Sequence, residues 1–171
     1  EGPEASGKSS QILLLQKYLT KKKIHFITTR EPGGTKLAES LRNLILKIKS
    51  DINIDEEILM LMAARSHHIN NVIKPALDKG ILVISDRFAD STFVYQGYVN
   101  NFGIQKAKSL HKNILNNFLP HKTFLFNLSS SKIIARLKKR KSKNKYDKLE
   151  RNFHDQVNRG YELISKNKRF I

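Results

Sequence analysis

Three short, near-continuously apolar runs, at residues 24–28, 81–85 and 123–127, are separated by longer stretches in which apolar residues recur at helical spacing. Those stretches lie at 35–49, 55–79 and 104–117. Runs without strict alternation read as strands buried on both faces, the habit of parallel sheets. Asp55 is placed to cap the long helix at its start and Gly80 to end it, and Pro75 should kink or restart it. Strands alternating with helices predict an α/β fold with helices on both faces of a parallel sheet.

Ahead of the first strand the chain reads EGPEASGKSS, where Gly2, Gly7, Lys8 and Ser9 fit G-x-x-x-x-G-K-[ST] just before the apolar run Ile12-Leu13-Leu14-Leu15. In this pattern glycines let several backbone N–H groups turn toward one anion. The lysine reaches the β/γ-phosphates and the hydroxyl holds Mg²⁺. The positive end of the following helix adds to the field. A glycine-rich surface turn is the plainer alternative. The loop implies a bound nucleotide and leaves the reaction open. Such a loop is fed by a buried strand, yet the sequence begins at Glu1, and Lys168-Arg169-Phe170-Ile171 reads as the start of another strand. An N-terminal strand and a C-terminal strand with its helix are therefore expected outside the sequence.

Two further motifs sit where open α/β sheets place ligands, beyond the carboxyl ends of strands. Thr28-Thr29-Arg30-Glu31-Pro32-Gly33-Gly34-Thr35 leaves the first apolar run, and Arg30 there can grip a phosphate by two parallel hydrogen bonds. Ser85-Asp86-Arg87-Phe88 leaves the second. Asp86 suits Mg²⁺ or its water shell, and Arg87 a second phosphate. Taken alone, an exposed arginine and a local salt bridge explain these residues as well.

Composition narrows the choice. No apolar run approaches a membrane span, and the absence of cysteine excludes disulfides and thiolate metal sites and fits a reducing cytoplasm. Net charge is +17, of which residues 132–171 carry +10, densest in Lys138-Lys139-Arg140-Lys141-Ser142-Lys143-Asn144-Lys145. That charge raises a basic nucleic-acid-associated ATPase as a rival. A solvated basic loop, or a lid over phosphates, accounts for the same run without nucleic acid as a partner. Abundant Lys, Asn and Ile also suggest a general compositional bias, which weakens charge as evidence.

EGPEASGKS, TREPGGT, AAR at 63–65 and SDRFADSTFVYQG at 85–97 together resemble the bacterial thymidylate kinases, in order from Glu1 to about Leu163. The resemblance implies transfer of the γ-phosphoryl group of ATP to dTMP, giving dTDP. It implies a P-loop NTPase fold with a five-stranded parallel sheet, one domain over 1–171, Mg²⁺, a homodimer, and a basic lid at about 138–150. It makes Gly2, Pro3, Glu4, Ala5, Ser6, Gly7, Lys8, Ser9 and Ser10 the ATP loop, with Glu4 facing the 3′-hydroxyl of dTMP. Arg30 and Arg87 become the acceptor-phosphate pair. Asp86 becomes the catalytic-site carboxylate and, with Ser9, the metal holder. Arg65 would meet a thymine carbonyl, and Thr92 and Gln96 would read the base edge. Tyr95 would pack on the sugar and disfavour a 2′-hydroxyl. Because Ala5-Ser6 carries no arginine, the lid should supply the cation, from Arg140 or Lys148.

Two positions depart from the family. Lys148 stands where an arginine is usual, so that grip would shift to Arg140 or Arg151. Leu61, one helical turn before Arg65, stands where an aromatic stacks on thymine, which leaves another small-molecule P-loop kinase as the nearer rival. His67 and His68 read as helix-face residues without a chemical task, and Tyr95 and Phe93 read equally as core.

Overall fold

A computed structural model describes residues 1–47, 52–140, 146 and 149–171. Two strands, β1 (Phe26–Arg30) and β2 (Leu82–Asp86), pair in parallel, with Phe26 opposite Leu82 and Arg30 opposite Asp86. Both therefore end on one rim. The strands run one or two residues later than the apolar runs suggest, because the polar rim residues Thr29, Arg30 and Asp86 complete the ladder. The third run forms no named strand among the described residues. Thr123 makes an isolated parallel bridge to Phe170, and its neighbours bond to the chain ends: Leu125 N to Ile171 O at 2.9 Å and Phe126 N to Glu1 O at 3.0 Å. This segment takes its backbone partners from single residues, so a sheet of two strands is what the described residues contain.

Helix α1 (Lys8–Lys21) springs directly from the phosphate loop, and Leu13, Leu14, Leu15 and Tyr18 on it are exposed. After β1 come α2 (Lys36–Lys47) and α3 (Ile54–His68). The cap of α3 is Asn53 rather than Asp55: Asn53 Oδ1 accepts from Glu56 N while Glu56 Oε2 accepts from Asn53 N, both at 2.9 Å. This reciprocal box satisfies two N-terminal donors at once, which Asp55 in its own first turn cannot do. The long helix then passes through a π-helical turn, Ile69–Ile73, and continues without a break as α4 (Lys74–Asp78), which carries Pro75 in its first turn. Gly80 N closes the end on Leu77 O.

Beyond β2, α5 (Ala89–Thr92) runs into a second π-helical stretch, Phe93–Val99, followed by α6 (Ile104–Leu115). Then come α7 (Ser130–Lys138) and α8 (Arg151–Ile164). Ile58, Met62, Ile69 and Ile73 pack with Phe88, Phe93, Ala107 and Leu115 in one core cluster. Val94 and Tyr95 pack with Val157, Tyr161 and Ile164 in the other. Each buried side chain of this size stabilises the fold by about 1.5–3 kcal/mol. The segment after β2 contributes to both clusters, so the site residues it carries stand on a packed base. Ile58, Met62 and Arg65 of α3, continued by Ile69 of the π-helical turn, also form one inward stripe, which drives a guanidinium into the core.

Candidate active site

A cavity of about 810 Å³ opens at the rim where β1 and β2 end, lined by residues 4–10 of the loop and by Leu61, Arg65, Thr92, Tyr95 and Gln96. At the loop side, Gly2 has φ 133°, and a Cβ there would lie 2.4 Å from Phe126 O, so only glycine lets the loop press on that backbone. Lys8 is buried, with Nζ donating to Gly2 O at 3.0 Å and Pro3 O at 2.6 Å. Burial, and next the charge of Arg87, pull its ammonium down to about 7. Arg136 of α7, which the sequence reading missed, lines the cavity and braces the loop by donating to Ala5 O at 2.9 Å.

Ser9 Oγ lies 3.3 Å from Asp86 Oδ2, while Asp86 Oδ1 is buried without a partner among the described residues. A hydroxyl and a carboxylate with an unused oxygen at the mouth of a phosphate loop suit a small hard cation that takes its other ligands from phosphate and water.

Arg87 follows immediately, at φ 70°, with Ser85 Oγ donating to its carbonyl at 2.6 Å. This left-handed turn aims the guanidinium into the cavity. Nη2 meets Glu4 Oε1 at 2.9 Å, Nη1 meets Ser91 Oγ at 3.0 Å and Tyr161 OH at 3.1 Å, and the fork lies over the Tyr95 ring. Tyr95 OH also donates to Glu4, 2.7 and 2.8 Å from its two oxygens. Burial holds the Tyr95 and Tyr161 hydroxyls well above the ordinary phenol range, so both remain neutral donors. Glu4 thus forms a buried acid counterpart to Arg87 in addition to facing the cavity. Glu1 supports the same corner: its carboxylate accepts from Phe88 N and Ser91 Oγ, both at 2.6 Å, and from Tyr161 OH at 3.0 Å. No motif flags Glu1 or Tyr161, because each acts by reaching a distant segment.

Arg30 also lines the cavity, but its fork is engaged: Nε and Nη2 donate to Glu39 at 3.1 and 2.9 Å. The two parallel bonds expected toward phosphate are made to a carboxylate one helix away. That pairing lowers the Glu39 carboxyl and raises Arg30. Arg42 of α2, missed from sequence, lines the cavity beside it with Nη1 on Pro32 O at 2.8 Å. Its position three residues beyond Glu39 on an amphipathic helix was the available signal.

Arg65, also on the cavity lining, donates to Thr92 Oγ1 at 2.9 Å and lies over the Phe88 ring. Gln96 Nε2 donates to Glu57 Oε1 at 2.7 Å, and Tyr146 OH donates to the same oxygen at 2.9 Å. Tyr146 stacks on Phe153 and meets Tyr95 edge-on, which brings an aromatic ring from the basic segment to the cavity that Leu61 lines. Phe93, by contrast, belongs to the core. Arg140 lines the cavity. Arg151 does not; it pairs with Asp155 on an exposed face of α8. Lys148 and much of the expected lid, 141–145 and 147–148, lie outside the described residues. His67 and His68 both lie on α3: His68 is fully buried, bonded to Glu31 and Thr29, while His67 is half-buried and reaches Thr35 Oγ1 at 3.0 Å.

The chain is similar to known proteins along its whole length. The family model described as thymidylate kinase matches residues 1–171. The thymidylate kinase of Mycoplasma capricolum subsp. capricolum is 41% identical over 175 residues, spanning 100% of this chain and 82% of that protein. That of Carboxydothermus hydrogenoformans is 40% identical, spanning 99% and 84%. The crystal structure of thymidylate kinase from Ehrlichia chaffeensis matches with a TM-score of 0.80 at 31% identity, covering 100% of this chain and 87% of that one. The α/β architecture is accordingly that of the P-loop NTPases. A match running the full length, at such identities, leaves one conclusion: the chain belongs to the thymidylate kinase family.

Proposed function

We propose that this chain transfers the γ-phosphoryl group of ATP to dTMP, giving dTDP. The observation that carries the reading is one cavity lined together by Lys8 and Ser9 of the loop, by Arg65, Thr92 and Gln96, and by Arg30, Arg42 and Arg87. Two phosphate esters meeting there repel each other, and the cations offset that repulsion. In-line transfer then needs positioning and a charge field, with no nucleophilic side chain, since the acceptor phosphate oxygen attacks. Lys8 steadies the donor phosphates. Ser9 and Asp86 would hold Mg²⁺, which supplies charge neutralisation on the donor. Arg87 grips the acceptor phosphate, and Arg30 joins it when its fork leaves Glu39. Glu4 faces the sugar, Tyr95 excludes a 2′-hydroxyl, and Arg140 and Lys148 supply cations from a basic lid at about 138–150 of a single domain.

The reading extends to a cytoplasmic homodimer. Leu37 and Leu44 lie exposed along one face of α2 and Leu59 on α3, which supports a covered apolar surface. No helix among the described residues is long and apolar enough to cross a membrane. The deciding experiment is a coupled ADP-release assay with ATP and Mg²⁺ across nucleoside monophosphates. dTMP should be phosphorylated well above UMP and AMP, and a clear preference for another acceptor overturns the reading.

A pH dependence follows from Lys8. Its ammonium titrates near 7 in the empty loop, and a polyphosphate beside it favours the charged form. Binding above pH 7 therefore takes up a proton, and affinity falls by up to about tenfold per unit as pH rises through 7. Folding has the opposite sign. The unfolded lysine titrates at 10.5, so the unfolded chain holds more protons between about 7 and 10.5, and the penalty that burying this group places on folding shrinks as pH rises through that window. Calorimetric titration of Mg-ATP at pH 8, in buffers of different ionisation enthalpy, should show uptake approaching one proton. No buffer dependence would contradict it.

A further inference from the structure

We infer that Glu31 and His68 are positioning residues for the acceptor nucleotide, acting by locking Arg65 in the orientation in which it meets the base. The inference rests on the acceptor reading above and assigns roles to two residues that reading does not use. Arg65 sits on the inward stripe of α3 and is 3% exposed, so its guanidinium cannot rely on water. Glu31, equally buried, supplies the counter-charge: Oε2 accepts from Arg65 Nε at 2.6 Å. The other oxygen, Oε1, lies 3.0 Å from Nδ1 of His68, which is wholly buried. Nε2 of the same ring lies 2.6 Å from Thr29 Oγ1. An unbroken chain of bonds thus runs from Thr29 through His68, Glu31 and Arg65 to Thr92, joining the end of β1, the last turn of α3 and α5.

The turn after β1 is moulded on this chain. Gly34 has φ 83°, and a Cβ there would lie 2.5 Å from His68 Nε2 and 2.6 Å from Thr29 Oγ1. Glycine lets the backbone close over the imidazole. The turn that offers Arg30 to the phosphates is consequently the same turn that fixes Glu31 behind Arg65. Arginine has a long, rotamer-rich stem, and ordering it at the moment of binding weakens affinity. With Nε on Glu31, Nη2 on Thr92 and a ring face beneath, that ordering is complete before a ligand arrives. Glu31 and His68 therefore act on acceptor affinity and leave the phosphoryl-transfer step alone.

The test is steady-state kinetics of the full chain with dTMP, ATP and Mg²⁺. Glu31→Gln keeps the volume, but its amide has one acceptor oxygen where two donors need one each. It should raise the KM for dTMP by about 10–100-fold, the range for charge-assisted hydrogen bonds, with kcat and the KM for ATP within about threefold. His68→Leu removes the donor to Glu31 and should raise the KM for dTMP by about 3–10-fold, the weight of one side chain left to order on binding. His68→Asn restores an N–H near the Nδ1 position and should recover much of that loss. If Glu31→Gln fails to fold, the His68 pair decides. An unchanged KM for dTMP, a parallel rise in both KM values, a fall confined to kcat, or no recovery with asparagine overturns the inference. Wild-type enzyme that ignores dTMP overturns the acceptor reading itself, so the two failures are separable.

Discussion

Arg87→Ala is expected to lower kcat/KM for dTMP by about 10³-fold while leaving the KM for ATP within a few-fold. Removing a single preorganised donor from a charge-developing site costs about 10²–10³-fold in turnover, and Arg87 offers a charged fork rather than one donor. In the structure that fork already lies inside the cavity, aimed by a left-handed backbone and braced by Ser91, Tyr161 and Glu4. The bracing predicts a stability loss as well. Without Arg87 the Glu4 carboxylate retains only Tyr95 OH from this network, a loss of about 1–3 kcal/mol. Arg87→Lys separates the two effects. Lysine returns the charge and much of the melting temperature, but not the planar grip on phosphate. Stopped-time product assays beside thermal melts make the comparison. Near-normal turnover in Arg87→Ala would remove Arg87 from the acceptor seat.

Lys8→Met should be nearly as damaging, with kcat lower by about 10²–10³-fold and Mg-ATP binding weakened, while dTMP binding persists. Methionine matches the length and apolar stem, so the change isolates the ammonium. That group now bridges Gly2 O and Pro3 O from within the loop. Its loss leaves two carbonyls facing the space meant for an anion, which adds repulsion to the missing attraction. The same variant should abolish buffer-dependent proton uptake at pH 8. Direct titration with Mg-ATP and separately with dTMP checks the split; equal weakening of both ligands would point to a collapsed loop.

What could be read in the chain beforehand was local. The phosphate loop, the arginines at strand ends and the helix stripes each occupy one short segment, and periodicity or spacing reports them. Asp86 and Ser9 came from two such segments that happen to share a rim. Glu31, Glu57, Tyr161 and Glu1 could not be read that way. Their partners lie 34, 39 and 87 or more residues off, as in Glu31 with Arg65, Gln96 with Glu57, and Glu1 with Phe88. One inference was nonetheless open: an arginine on a stripe of Ile58, Met62 and Ile69 must be buried, and a buried arginine demands a buried acid. Glu31, lying inside the TREPGG motif, was in plain view for that role. His68 lies on the same buried face as Leu61 and Arg65 at ordinary helical spacing, but its partners Glu31 and Thr29 come from a segment more than 30 residues away.

The parallel register, Arg30 beside Asp86, carries a consequence for assembly. Glu31 follows β1 directly and its N–H donates to Asp86 O at 3.1 Å, so the alternation carries on past the strand end, with Arg30 toward the rim and Glu31 buried. Sliding β1 by one position would present the acid to incoming phosphate and push the cation toward His68. Correct alignment of two five-residue strands thereby decides which sign of charge the rim presents.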